Sequence, residues 1–522
     1  MTTVTTQRIK NLLVLWMVLI IIVLNLFLVP MALGDENGGS LTLVKAVTYA
    51  IANTPEVTFS RETVTYKKAQ VQIDKGEQDV EISAGVSYDR DDEPLSTYYQ
   101  DHYKKTAEDK KTLTTTLSAE KELNSGITLT SSLSLERVDD DLASLSPENT
   151  ASVSFEVSLP LMELWSTGLY GKEEKNSEID LRASIRDLAA TISQSAESVA
   201  IAFWDAYAAK KILEECREEE AEGRKFARGM KILVEKNEYA AANLDRVKAD
   251  VDSKAVASIT AEQNYYAARQ QLALEMGADI ETLTHLPDVE QAFPSIERID
   301  PDIKAMLKYS EEHRHDLAAE KIRATYYEEV VRDAEDDMLA DVDLSLTAGY
   351  NGLDETSRGS GYFRSLSQNT AGPSYSVDLS YSRPFGNNVA KGNYGQARIT
   401  LNKKRVEINQ LRRNINSDVL TAYQQYRNSI SALEQQLNAT EKYKSALDKE
   451  LMRFKLNMST LSDLMDTRDD YHESMKILIA MQKSYSESVV KLKWACGSLV
   501  QQKGNRFEVD SSMLISPFIG FN

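Results

Sequence analysis

The sequence predicts a mainly helical fold with a few β-strands, in which one unit of long paired helices and short strands is built twice. Three observations carry that expectation. Leu464, Tyr471, Leu478, Tyr485, Leu492 and Leu499 recur every seven residues, with Leu461, Met475, Val489 and Cys496 standing three before four of them. A heptad seam held this long keeps one stripe against a partner helix, as in a coiled coil. The same register occurs 220 residues earlier, where Leu244, Val251, Tyr265 and Leu272 repeat the seam, Asn237 stands for Asn457 and Gly277 for Gly497. Between the helical stretches the apolar period drops to two, the period of a strand.

Composition bounds the architecture and the partners. With 522 residues but only 11 Pro and 22 Gly, the chain favours long elements over many small domains. Its formal net charge of −20 argues against nucleic acid as a partner. Arg8 and Lys10, the apolar run Leu12 to Leu24 and the small-residue pattern Ala32-Leu33-Gly34 read as a secretory signal over residues 1–34, the alternative being a retained anchor. Beyond it no segment reaches the ~20 apolar residues of a spanning helix, so a membrane crossing would be made of strands. Cys216 and Cys496 are the only cysteines. With the two hairpin tips level they fall roughly 27 Å apart along the helix axis, so both are expected to be buried thiols and not a disulfide.

The chain in order then reads as follows. Residues 40–80 form a first helix, capped by Ser40 or Thr42, with Leu43, Ala46, Val47, Ala50 and Ile51 on one face. Its counterpart is a helix over 303–340, where His315-Asp316-Leu317 takes the place of Pro55-Glu56-Val57. His313 and His315 are two apart and point away from each other on a helix, which argues against a metal pair. Strands follow over 81–160 and 341–384: Ile82, Ala84, Val86 and Tyr88 alternate with polar residues, and Val342, Leu344, Leu346, Ala348 and Tyr350 repeat the pattern. Val153, Phe155, Val157 and Leu159, and likewise Tyr375, Val377, Leu379 and Tyr381, lead back to Pro160 and Pro384. Proline cannot donate to a sheet ladder but suits a strand end entering a helix. The first half carries an excess of 38 residues here, because Leu344 lies 262 after Ile82 but Pro384 only 224 after Pro160. The alternating segments on either side of Asn124-Ser125-Gly126 make that excess an added hairpin. The polar stretches 90–110, 136–149 and 351–373 are expected to be loops.

One face of each strand is apolar and the other polar, which fits a soluble sandwich or a membrane barrel. Four short strands cannot close a core within one copy, and closure by several copies would remove their edges. The long hairpins span 161–277 and 385–497, each with a first helix close to 65 residues, or ~100 Å. They turn at Asn237 and Asn457 and stop at Gly277 and Gly497, residues able to take left-handed backbone. The run Glu214-Glu215 and Glu218-Glu219-Glu220 is expected to be a solvated face.

With duplicated halves, paired strands and heptad hairpins, the chain resembles the TolC-like outer-membrane efflux ducts. The resemblance rests on SLTLVKAVTYAIANTPEV from Ser40, on Leu159-Pro160-Leu161 and Arg383-Pro384-Phe385, and on FKLNMSTLSDLMD. In the last, Phe454, Asn457, Asp463 and Asp466 match the family's tip pattern of aromatic, glycine and two aspartates, with Asn for Gly. The resemblance implies two duct repeats, 35–277 and 301–497, joined by a segment over 278–300 and followed by a tail over 498–522. It implies a homotrimer whose strands form one outer-membrane barrel, and whose helices form a periplasmic tunnel in a Gram-negative-type envelope. It also implies docking on a periplasmic adaptor and an inner-membrane transporter of RND, ABC or MFS type, with the tips Asn237, Phe454, Asn457 and Ser459 as adaptor contacts.

Asp463 and Asp466 lie one turn apart on one helix face, so three copies would set six carboxylates around the opening, a ring that attracts cations. The plainer reading makes both helix-start acids favoured by the dipole. Ser459 stands where the family has a basic lock residue, and Asn243 and Arg246 stand where the second half has Asp463 and Asp466, so a lock between Arg246 and a neighbouring chain's acids is expected. Six strands per chain are favoured over four, giving a wider pore. An enzyme is disfavoured, since no phosphate-binding glycine loop, nucleophile motif or His/Cys ligand cluster is present, and no cofactor is expected. The alternative is a periplasmic or surface coiled-coil scaffold with a soluble β head.

Overall fold

Two long helical hairpins carry a single antiparallel sheet at one end. The computed structural model describes residues 40–142, 147–165, 172–279, 286–298, 302–355, 361–367, 370–503, 506–509 and 516. The signal over 1–34 lies outside the described residues, as do parts of the connecting segment and of the tail. The first half runs α1 (Leu43–Asn53), α2 (Pro55–Gly76), β1 (Glu81–Pro94), α3 (Thr97–Tyr103), β2 (Ala107–Glu122), β3 (Thr128–Asp140) and β4 (Glu148–Pro160). After α4 (Leu161–Trp165) come the long helix α5 (Lys172–Glu235) and its return, α6 (Ala241–Glu275). The second half follows a similar order with two strands in place of four: α7 (Ile303–His313), α8 (His315–Asp336), β5 (Asp341–Asp354), α9 (Gly361–Arg364), β6 (Thr370–Ser382), α10 (Asn388–Lys455) and α11 (Leu461–Cys496). The tail adds a small hairpin, β7 (Val500–Lys503) with β8 (Arg506–Val509).

The single helices expected over 40–80 and 303–340 are each broken in two. Thr54 takes extended backbone before Pro55, which opens α2 because its missing N–H costs nothing in a first turn. Thr42 sits at the start of α1 without a side-chain capping bond. Arg314 breaks the second helix with φ −67° and ψ 115° although no proline follows it. The break packs closely against a neighbour in space. Gly497 has φ 74°, and a Cβ on it would lie 2.9 Å from the Arg314 nitrogen and from the His313 carbonyl. Gly277, with φ 68°, presses in the same way on Asn53 and Thr54, 2.7 Å from the Asn53 oxygen. Each return helix thus ends in a left-handed glycine seated on the break of its own repeat's first helix.

The sheet has six strands in the order β1-β2-β3-β4-β5-β6, all neighbours antiparallel. The added hairpin is therefore β2–β3, turning through Gly126 with φ 76°. The strands run further than apolar alternation suggested, to Pro94 and Asp140, so the first two loops are shorter than 90–110 and 136–149. Ladder hydrogen bonding continues through charged rows such as Arg90 opposite Lys111, where alternation gives no signal. Apolar residues of all six strands share one face. Ile82, Val86, Tyr88, Phe155, Tyr375, Val377, Leu379 and Tyr381 on it are 60–79% exposed. The other face carries hydroxyls that meet across strands, Ser83 with Ser118 at 2.7 Å and Ser132 with Ser154 at 2.6 Å. Pro160 closes β4 opposite Asp343, and Pro384 follows the end of β6.

The two largest cores among the described residues lie between the helices. In one, Phe203 and Trp204 of α5 are fully buried with Leu43, Val47 and Leu272, and Trp204 stacks on Phe293 at 5.7 Å. Leu499 and Val500 of the tail join this core. In the other, the seam residues Tyr485, Val489, Leu492 and Cys496 of α11 are fully buried against Tyr423, Tyr426 and Ile430 of α10. Cys216 and Cys496 are free buried thiols.

Candidate functional site

The tip end of the molecule gathers the residues the sequence singled out. Asn237 and Asn457 turn the chain with φ 59° and 57°, the left-handed conformation that asparagine tolerates best after glycine. Both are exposed. Phe454 is half-buried between the two hairpins, its ring 6.1 Å from Phe226 and 6.1 Å from Tyr239, above Met230, Val247, Leu461 and Met465. It joins the two tips of one chain. Ser459 donates to buried Glu450.

Thr460 caps α11. Its hydroxyl accepts from the Asp463 N–H at 3.2 Å, while Asp463 Oδ2 accepts from the Thr460 N–H at 3.3 Å, a complete capping box. The Thr460 hydroxyl also donates to Asp463 at 2.8 Å, and these bonds hold its carboxyl below the usual carboxylate range. Asp466 is exposed one turn on and accepts from Ser462 at 3.4 Å. Arg246 reaches the same hydroxyl of its own chain, Nη2 to Ser462 Oγ at 3.2 Å. Asn243 is half-buried on the neighbouring turn of α6.

Below the tips lies a ladder of buried charge that sequence reasoning missed. The acidic run of α5 is a solvated face only in part: Glu214 and Glu218 are exposed, whereas Glu215 and Glu219 are 8% and 7% exposed. They meet a basic stripe on α11 made by Arg468, His472 and Lys476, spaced four apart so that all three share one side of the helix. His472 Nδ1 is 2.7 Å from Glu215 Oε1, and its Nε2 is 3.4 Å from Glu222. Lys476 reaches Glu219 at 2.8 Å, and Arg468 reaches Asp250 of α6 at 2.7 Å. Lys254 of α6 ties the group together, 3.0 Å from Asp250, 2.9 Å from Asp469 and 3.7 Å from Glu219. Burial works to lower the His472 pKa, but the bond to Glu215 and the charges of Glu219, Glu215 and Glu222 raise it above its ordinary value. The complementary spacing, Glu215 and Glu219 against His472 and Lys476, is the sequence signal that could have located the ladder. This site can transmit relative movement of one hairpin to the other, because any slip of α11 along α5 strands buried charges.

Among the described residues no cluster of His, Cys, Asp and Glu is arranged to hold a metal ion, and no helix is long and apolar enough to cross a membrane.

Residues 307–498, from within α7 to just past the cap of α11, match the sequence family described as outer membrane efflux protein. No curated protein matches the chain. Solved outer-membrane channels share its fold at low identity. Against the Campylobacter jejuni CmeC channel the identity is 14% and the TM-score 0.58, covering 87% of this chain and 85% of that one. Against VceC of Vibrio cholerae the values are 13% and 0.60, covering 87% and 96%. Against the open state of the Neisseria gonorrhoeae MtrE channel they are 14% and 0.62, covering 87% and 88%. With the outer membrane efflux protein pattern over residues 307–498 and the channel fold across both halves, the chain is similar to these outer-membrane channels.

Proposed function

We propose that this chain is the passive exit duct of a tripartite efflux or type I secretion assembly. One observation carries the reading: six antiparallel strands present an exposed apolar face on one side and a hydroxyl face on the other, above helices of 64 and 68 residues. A soluble β head would have to bury that apolar face, which is exposed here. The outer edges of β1 and β6 pair with no strand among the described residues, and the two strands run in opposite directions, so β6 of one copy can extend the antiparallel ladder onto β1 of the next. Three copies of the six-stranded sheet would close an 18-stranded barrel, ~35 Å across between backbones at a spacing of ~4.8 Å and a tilt of ~40°. That is about one and a half times the width that four strands per copy would give.

In this reading 35–277 and 301–497 are two duct repeats, and Pro160 and Pro384 mark the passage from barrel to tunnel. The tips around Asn237, Phe454, Asn457 and Ser459 meet a periplasmic adaptor, and an inner-membrane transporter delivers the cargo. Asp463 and Asp466 line the closed opening, and Arg246 with Asn243 faces them from α6. The duct performs no chemical step. It opens when the hairpins shift, and the buried ladder between α5, α6 and α11 resists that shift.

Single-channel recording of the mature protein in a planar bilayer tests this. A small cation-selective conductance that loses selectivity in the Asp463→Ala, Asp466→Ala double variant is the expected result. A protein that stays in solution without detergent and never inserts would sink the duct reading.

A further inference from the structure

The segment 361–367, between β5 and β6, lies on the apolar face of the sheet and not on the hydroxyl face. Tyr362 is 9% exposed and fills a cluster with Leu135 and Ala151, flanked by Leu113 and Leu133. Its hydroxyl donates to the Leu135 carbonyl at 2.9 Å. The ladders place Leu133, Leu135 and Ala151 on the same face as Val86, Val153 and Tyr350. Gly352, opposite Ala151, makes room for the segment, since a Cβ there would overlap the carbonyl of Ser365, itself fully buried.

The height of the segment on the sheet is informative. It covers Leu135, Ala151 and Gly352, in the row that reads Val86, Thr115, Leu135, Ala151, Gly352. The next row toward the loops reads Tyr88, Leu113, Arg137, Asn149, Asp354, and the one beyond it begins Arg90, Lys111, Asp139. The apolar belt gives way to charge at this level. Outward from it the segment presents Phe363 at 68% exposure and Leu366 at 39%. Arg364 stands between them, its Nε 3.8 Å from Asp354. An aromatic ring, an aliphatic chain and an arginine side by side at the end of an apolar belt match the level where acyl chains meet headgroups. A second copy does not cover this patch, because α9 packs on β3, β4 and β5 in the middle of the sheet, while closure uses the edges β1 and β6.

We propose that residues 361–367 are an interfacial anchor, and that the partner of Phe363 and Leu366 is lipid of the outer leaflet at its headgroup boundary. The inference rests on the barrel reading above. It assigns residues 361–367 to the membrane side, so that they do not serve as a lid over the lumen.

The test uses the whole protein in phosphatidylethanolamine–phosphatidylglycerol vesicles whose acyl chains carry a nitroxide near the headgroup, with iodide as the quencher in water. Fluorophores are placed on Phe363→Cys and, separately, on Val377→Cys, which is 71% exposed in the middle of the belt on β6. The native thiols are buried. Severalfold stronger quenching by the lipid nitroxide than by iodide at both positions is the expected result. A Gly352→Val change made alongside Phe363→Cys displaces the segment and reverses that preference at the label. Lipid quenching at position 377 with iodide quenching at position 363 overturns the anchor while the barrel stands. Iodide quenching at both positions removes the barrel reading and the anchor with it.

Discussion

The imidazole of His472 faces Glu215 across the two hairpins, Nδ1 2.7 Å from Oε1, with both side chains buried. Around this contact stand Glu219 and Glu222 of α5, Lys254 of α6, and Arg468 and Lys476 of α11 itself. A proton on the ring offsets three nearby carboxylates. Because the folded pKa is raised above the ordinary 6.5, the stabilisation is fully present below that value and is lost as pH rises through the raised folded value. Hydrogen exchange of the α11 amides should therefore quicken as pH is raised through this window, after correction for the intrinsic exchange rate. His472→Gln should remove that step and cost about 2 kcal/mol at the acidic end. A pH-independent stability of α11 in the wild-type chain would contradict the assignment.

Arg468 and Asp250 join α11 to α6 at 2.7 Å, with side chains 9% and 15% exposed. Arg468→Ala leaves Asp250 with Lys254 as its remaining close cation, and is expected to cost about 3 kcal/mol in chemical unfolding followed by helical circular dichroism. The double variant with Asp250→Ala should cost clearly less than the sum of the two single changes. Strict additivity would mean that the pair contributes nothing as a pair.

Two glycines in the same chain should respond to alanine with opposite signs. Gly497→Ala forces a side chain into φ 74° and into the Arg314 backbone, and is expected to destabilise by about 1–3 kcal/mol. Gly395 lies within α10 with nothing within 4 Å of an added Cβ, so Gly395→Ala should stabilise by about 0.5–1 kcal/mol. Thermal melting of the two variants beside the parent checks both.

Thr460→Ala separates the capping role of Asp463 from a gating role. Losing the cap should cost about 1 kcal/mol and speed exchange at the first turn of α11. Since Thr460 holds the Asp463 carboxyl below its ordinary range, the cap persists above the ordinary carboxylate value and is lost only as pH falls through the depressed one. Asp463→Ala should reproduce the faster exchange and also lower cation selectivity in single-channel recording, whereas Asp466→Ala should lower selectivity and leave exchange unchanged. Selectivity kept in Asp463→Ala would leave that carboxylate to the cap alone.

Much of the architecture was legible in the chain itself, because it follows from local backbone chemistry. The heptad seam fixed the hairpins, and the change of period located the strands and the added β2–β3 hairpin. The asparagines at 237 and 457 and the glycines at 277 and 497 do take left-handed backbone. What stayed hidden depends on contacts remote in sequence. The break at Arg314 has no proline to announce it and packs against Gly497, the cap of another helix. The seating of 361–367 on the apolar face uses the space that Gly352 leaves on a strand. The acidic run of α5 looked solvated because a charge pattern on one helix cannot name its partner, and Glu215 finds His472 257 residues away. Periodicity determines which elements form and which face is apolar, since each helix or strand satisfies its own backbone or that of a neighbour in register. Which buried charges meet, and on which side of the sheet a loop lies, is set only when the two halves pack, because desolvating a charge is tolerated only where its partner arrives with it.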